Sequence, residues 1–140
     1  MKIIHVVGRS NSGKTTFIKN LIPALKKLGA VAAIKHMGDH DYRLEEGKDT
    51  TLFYEAGADV TIGIDAHKSV AAIQGISLES MLDLLVHQRT DFVVIEGFKQ
   101  KPFPKIVIGN LTIDHCILTN PDVETVIASL DRFADYSVGQ

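Results

Sequence analysis

Near its start the chain passes from an apolar run (Ile3, Ile4, Val6, Val7) into Gly8-Arg9-Ser10-Asn11-Ser12-Gly13-Lys14-Thr15, and then into a helix-like run over 16–28. The spacing is G-x-x-x-x-G-K-[ST]. No other stretch restricts the fold as much, because it works only as a strand, a tight turn and a helix in immediate succession. The two glycines let the backbone turn so that consecutive N–H groups converge on one point. The helix opening near Gly13 adds the positive end of its dipole there. An anionic phosphate tail fits that point. Lys14 is placed for the β- and γ-phosphates and Thr15 for Mg²⁺. A plain turn with a capping hydroxyl would not account for Lys14 followed by Thr15 and Thr16. The candidate nucleotide contacts in this segment are therefore Gly8, Asn11, Ser12, Gly13, Lys14, Thr15 and Thr16.

At 140 residues the chain is expected to form a single nucleotide-binding domain over 1–140. A net charge of −2 argues against broad nucleic-acid binding, which needs a basic face. No run approaches the roughly 18 apolar residues of a membrane span. The apolar stretch at the start is short and broken by His5, so a signal peptide is not expected. The single cysteine, Cys116, cannot pair within the chain, and its apolar surroundings predict a buried, inert thiol. These features predict a cytoplasmic protein.

Short β-branched runs predict strands over 2–7, 30–35, 60–64, 69–73, 92–95, 105–108 and 113–118. Helices are expected over 13–28, 48–56, 78–86 and 123–129, with Gly29 and Gly57 as stops, Ser77 as an N-cap and Pro23 producing a kink. The alternation predicts an α/β fold of the P-loop NTPase type. Its sheet would be mostly parallel, covered by helices on both faces. The strands over 69–73 and 105–108, which have no helix separating them from the strands before, are expected to add antiparallel pairs. Ligands of such sheets bind at the carboxyl ends of the strands. That rim would gather Gly8, Lys35-His36, Asp65, Glu96-Gly97 and Thr119-Asn120.

Three further segments carry chemistry. The strand Asp91-Phe92-Val93-Val94-Ile95-Glu96-Gly97 ends in a carboxylate where nucleotide hydrolases hold Mg²⁺. Glu96 is thus a metal candidate, and Gly97 would let the backbone approach the γ-phosphate. The polar stretch over 35–50 reads as a segment that orders around the phosphate. In it Asp49 is the second metal-linked carboxylate and Lys48 a phosphate contact. His36 and His40 invite a transition-metal reading, but a solvated loop accounts for them better because Gly38 breaks any helix there. Thr119-Asn120-Pro121-Asp122 follows the last strand, where guanine-binding folds carry an N-K-x-D or T-K-x-D element. Asn120 and Asp122 are base-reading candidates there, with a helix-capping turn as the alternative. His5, His67, His87 and His115 read as structural or surface residues.

Taken in order, Gly8–Thr15, Lys35-His36, Gly47-Lys48-Asp49-Thr50, Glu55-Ala56-Gly57-Ala58, Glu96-Gly97-Phe98-Lys99 and Pro104-Lys105-Ile106 resemble the molybdopterin-guanine dinucleotide biosynthesis adapter family, usually called MobB. The resemblance implies a homodimeric, GTP-binding accessory protein with weak Mg²⁺-dependent GTPase activity. It also implies partnership with the guanylyltransferase that attaches GMP to molybdopterin. Lys14, Thr15, Asp49 and Glu96 inherit nucleotide or Mg²⁺ roles by position. The chain departs from the family at Leu44-Glu45-Glu46, where an Asp often precedes G-K-D. The competing readings are a small phosphotransferase or ATP-dependent ligase on the same fold, and an interaction module presenting the segment over 98–104. Only four dispersed arginines (Arg9, Arg43, Arg89, Arg132) speak against a phosphotransferase lid.

Overall fold

The structure is a computed structural model that describes residues 1–139. Two compact units emerge, one formed by Met1–Gly38 and the chain from Leu82 onward, the other by Asp39–Met81.

The first unit is built on β1 (Lys2–Val7), whose residues 3 to 7 are fully buried. The run is β-rich and apolar on both faces, as a central parallel strand requires. Around it lie β2 (Val31–Lys35), β3 (Phe92–Glu96), β4 (Lys105–Val107) and β5 (Cys116–Thr119). Their order across the sheet is β2-β3-β1-β4-β5, with every neighbour parallel. A two-residue strand, β6 (Ala134–Asp135), runs antiparallel to the start of β1. The strand over 105–108 was expected to pair antiparallel, and this is corrected: β4 is parallel to β1, with His5 opposite Lys105. The connection over 97–104 passes from one side of β1 to the other and returns to its starting end. Eight residues at about 3.3 Å each suffice to retrace so short a strand without a helix.

Helix α1 (Lys14–Lys26) follows β1 and runs through Pro23. Its Leu21 and Leu25 pack with Ile4, Val6, Val94, Ile106, Val126 and Phe133 in one core layer. Burying each such side chain contributes about 1.5–3 kcal/mol. Val126 comes from α2 (Val123–Ala128), which Asp122 caps: its Oδ1 accepts the Thr125 N–H at 2.8 Å. At the opposite end of the sheet, the Asp91 carboxylate accepts the Ala30 N–H at 2.7 Å. A Cβ on Gly29 would lie 2.4 Å from that carboxylate, so it is this approach, not a left-handed helix end, that calls for Gly29.

The second unit holds α3 (Asp49–Glu55) and an antiparallel hairpin of β7 (Val60–Ile64) and β8 (Ser69–Ile73). The antiparallel pairing of the strand over 69–73 was foreseen, but it forms its own two-stranded sheet. Asp65 therefore does not end a strand of the parallel sheet, a second correction. It builds the hairpin turn, where Oδ1 accepts the His67 and Lys68 N–H groups at 2.7 and 2.8 Å and Oδ2 meets Lys68 Nζ at 2.7 Å. The Lys68 side-chain bond, then the two amides, hold its carboxyl below the usual range. Thr51 donates to the Glu45 carbonyl at 2.6 Å, and Gly63 brings its strand against Thr50. The remaining helix, α4 (Leu78–His87), begins in this unit and ends in the first; Ser77 Oγ caps it through the Ser80 N–H at 3.1 Å.

Cys116 is exposed on the edge strand β5, not buried as its neighbours suggested. In an edge strand one apolar face suffices, and Cys116 takes the other.

Candidate functional site

The strand order places the loop after β1 beside the point where connections diverge. The chain leaves β1 toward β2 on one side and leaves β4 toward β5 on the other. Open α/β sheets bind ligands in that crevice. The loop over 8–15 fills it, and close packing dictates its shape. A Cβ on Gly8 would lie 2.4 Å from the Ile108 carbonyl oxygen and 2.7 Å from Ser12 Oγ. Asn11 takes φ 61° and Gly13 φ 100°, both left-handed. The Ser12 N–H turns back to the Arg9 carbonyl at 3.2 Å, and Phe17 makes the first helical bond, to Gly13, at 3.0 Å. The amides of Lys14, Thr15 and Thr16 thus precede the helix ladder, as first-turn donors do. Among the described residues no side chain caps this end of α1.

Lys14 folds over the loop, its Nζ donating to the carbonyls of Gly8 at 2.9 Å and Arg9 at 2.8 Å. Arg9 itself reaches the Asn110 carbonyl at 3.3 Å. Ser12 Oγ is buried and, among the described residues, finds no hydrogen-bond partner. An orphaned hydroxyl inside a cradle of amides suits an anionic ligand.

The second rim element is Glu96. It closes β3 opposite Val6 of β1 and Lys35 of β2. Its side chain is 14% exposed and lies 4.0 Å from Lys35 Nζ. The donors proposed here, the Thr15 hydroxyl and the Glu96 carboxylate, are oxygens of the kind that Mg²⁺ takes. Beyond Glu96 the chain turns through two left-handed residues, Gly97 at φ 93° and Phe98 at φ 52°. The Gly97 N–H donates to the Val6 carbonyl at 3.2 Å. A Cβ on Gly97 would meet His36 Cβ at 2.8 Å, and the His36 ring stacks on Phe98 at 4.2 Å. His36 thus packs on this turn. Among the described residues no three His, Cys, Asp or Glu side chains converge as a metal cluster.

Asn120 and Asp122 serve the backbone. Asn120, at φ 47°, accepts the Gly109 N–H at 2.6 Å and donates to the Gly109 carbonyl at 3.0 Å. Gly109 in turn faces Ser12, so Asn120 supports the back of the phosphate loop. The capping bonds to Thr125 hold the Asp122 carboxyl below its usual range. Lys48 and Asp49 open α3 in the second unit, with Lys48 Nζ 3.8 Å from Glu45.

The sequence reads His5 as structural or surface and does not link it to the site. It is completely buried, and its Nε2 lies 2.5 Å from the Gly97 carbonyl. A His in the middle of the Ile and Val run of β1 was the available signal.

A central parallel strand, a glycine-bounded loop carrying Lys14, and a helix opening behind it define a P-loop nucleotide-binding fold. More narrowly, the family model for "Molybdopterin guanine dinucleotide synthesis protein B" (MobB) matches residues 3–131, and the chain belongs to that family. A probable molybdopterin-guanine dinucleotide biosynthesis adapter protein of Bacillus subtilis is 40% identical over 110 residues, 76% of this chain and 64% of that protein. A putative adapter of the same description from Methanocaldococcus jannaschii is 36% identical over 77% of this chain and 47% of its own length. The chain thus spans less than two thirds of the length of these curated relatives. The crystal structure of Bacillus subtilis MobB superposes with a TM-score of 0.73 at 27% identity, covering 97% of this chain and all of that one.

Proposed function

We propose that the protein is a GTP-binding adapter in molybdopterin-guanine dinucleotide synthesis, cytoplasmic and homodimeric, with slow Mg²⁺-dependent GTPase activity. The observation that carries this reading is the loop at the sheet's crevice, with Lys14 Nζ bonded to its Gly8 and Arg9 carbonyls and the first-turn amides of α1 outside the helix ladder, in a chain of the MobB family. Gly8, Asn11, Ser12, Gly13, Lys14, Thr15 and Thr16 bind the phosphates. Thr15 and Glu96 would hold Mg²⁺, which would supply neutralisation of the phosphate charge. Gly97 lets the backbone approach the γ-phosphate. Lys48 and Asp49 take phosphate and metal roles on the strength of the sequence pattern alone. Slow turnover follows from the arginines: Arg9 is tied to Asn110, and no other lies in the loop. The partner is the guanylyltransferase that joins GMP to molybdopterin.

Titration of the purified protein with GTP, ATP and Mg²⁺ tests the reading. GTP is expected to bind in the presence of Mg²⁺, and Lys14→Ala is expected to weaken it at least tenfold. Undiminished binding by that variant would defeat the assignment of the loop. Rapid ATP consumption dependent on a small acceptor would favour a phosphotransferase instead.

A further inference from the structure

The segment that follows Glu96 is gripped from beneath by two basic side chains. His5 and Lys105 are register partners on β1 and β4, so their side chains share one face of the sheet. It is the face opposite the core layer, since Ile4, Val6 and Ile106 lie in that layer. Both residues are buried, at 0% and 1% exposure. Their hydrogen-bond partners on this face are carbonyls: His5 Nε2 bonds that of Gly97, and Lys105 Nζ those of Lys101 and, at 3.0 Å, Phe103. The Phe103 ring stands edge-on to His5 with centroids 5.8 Å apart. Three carbonyls of one connection are thereby fixed to the sheet.

The chemistry of His5 is determined by its partner. A carbonyl can only accept, so Nε2 carries the proton and Nδ1 bears a lone pair. Nδ1 is buried and finds no partner among the described residues. Burial holds the imidazole neutral at physiological pH, with its pKa near 4. Such a group is costly to bury in a strand that Ile or Val would fill, and its one bond goes to the turn beside Glu96.

We propose that His5, assisted by Lys105, is a positioning residue that holds the Glu96–Gly97 turn in its metal-binding geometry before nucleotide arrives. The inference rests on the GTP and Mg²⁺ reading above. Gly97 adopts its left-handed conformation freely, but Phe98 at φ 52° is not held there by local preference. Without the His5 bond the turn can relax, and the Glu96 carboxylate loses its fixed direction. The phosphate loop over 8–15 has its own supports, in Ile108 and Asn120, and is untouched.

The test compares GTP affinity with Mg²⁺ and with EDTA in wild type, His5→Leu, His5→Gln and Lys105→Met, each checked for folding by near-UV circular dichroism. His5→Leu is expected to lose about tenfold of the Mg²⁺-dependent gain while its affinity in EDTA stays within twofold. His5→Gln can donate a similar bond and should restore most of the gain. Lys105→Met should shift the gain in the same direction, which keeps the test decisive if His5→Leu does not fold. A variant that melts earlier but retains the full Mg²⁺ gain would assign these residues to stability alone and overturn the proposal. If wild type binds GTP and Lys14→Ala does not, such a result sinks only this inference. If wild type binds no nucleotide, the functional reading falls and this inference with it.

Discussion

Single residues here are constrained by approach distances more than by propensity. Gly8 is the sharpest case, since a methyl group would overlap both a carbonyl oxygen and Ser12 Oγ. Gly8→Ala is expected to cost about 1–3 kcal/mol, as overpacking does. For a domain of this size that lowers the melting temperature by several degrees, which calorimetry would register. His5 supplies a pH dependence of known sign. Its pKa falls from 6.5 to about 4 because burial disfavours the charged form. The unfolded chain therefore binds a proton first as pH falls below 6.5. Stability from this group is complete above 6.5, declines toward pH 4 and is flat below, a loss of roughly 3 kcal/mol. Urea unfolding at stepped pH should show this slope, and His5→Gln should flatten it. Neither His5's role nor Asn120's could be read in sequence, because their partners lie 92 and 11 residues away. The loop residues could, because the functional geometry there is local and glycine-dependent.

Elements were legible where pattern and caps agreed. The helix start at Ser77 and the strands over 2–7, 60–64 and 69–73 appear where the sequence placed them. Direction was the difficulty. Nothing in Lys105-Ile106-Val107 distinguishes a parallel from an antiparallel partner; that depends on which side of β1 the strand docks. The start of α2 raises a separable question about Asp122. Asp122→Ala removes the cap and should cost about 1 kcal/mol. Asp122→Asn preserves a capping oxygen, so stability should hold. If Asp122 also reads guanine, that conservative change alone will reduce the preference for GTP over ATP, a ratio that competition binding measures directly. An unchanged ratio leaves Asp122 as a cap only.

At the scale of the molecule, the chain comprises a parallel-sheet unit and a smaller hairpin unit. The hairpin leaves Val60, Ile62 and Ile64, at 47%, 56% and 79% exposure, on one face of a two-stranded sheet. Apolar side chains in such a row favour association over solvent. Sedimentation equilibrium should find twice the mass of one chain for the proposed homodimer, and a monomer at all concentrations would remove that part of the reading. The sequence announced the hairpin strands by their β-branched content, yet not that they form a sheet of their own, because strand partnership is decided between segments.

The resting place of Lys14 has a consequence for how this cradle meets its guest. The ammonium is already immobilised on the Gly8 and Arg9 carbonyls. Phosphate capture is then an exchange of acceptors: the incoming oxygens must outcompete peptide oxygens, while little side-chain freedom remains to be surrendered. Weak anions such as chloride should lose that contest, and a polyphosphate, with formal charge at every site, should win it.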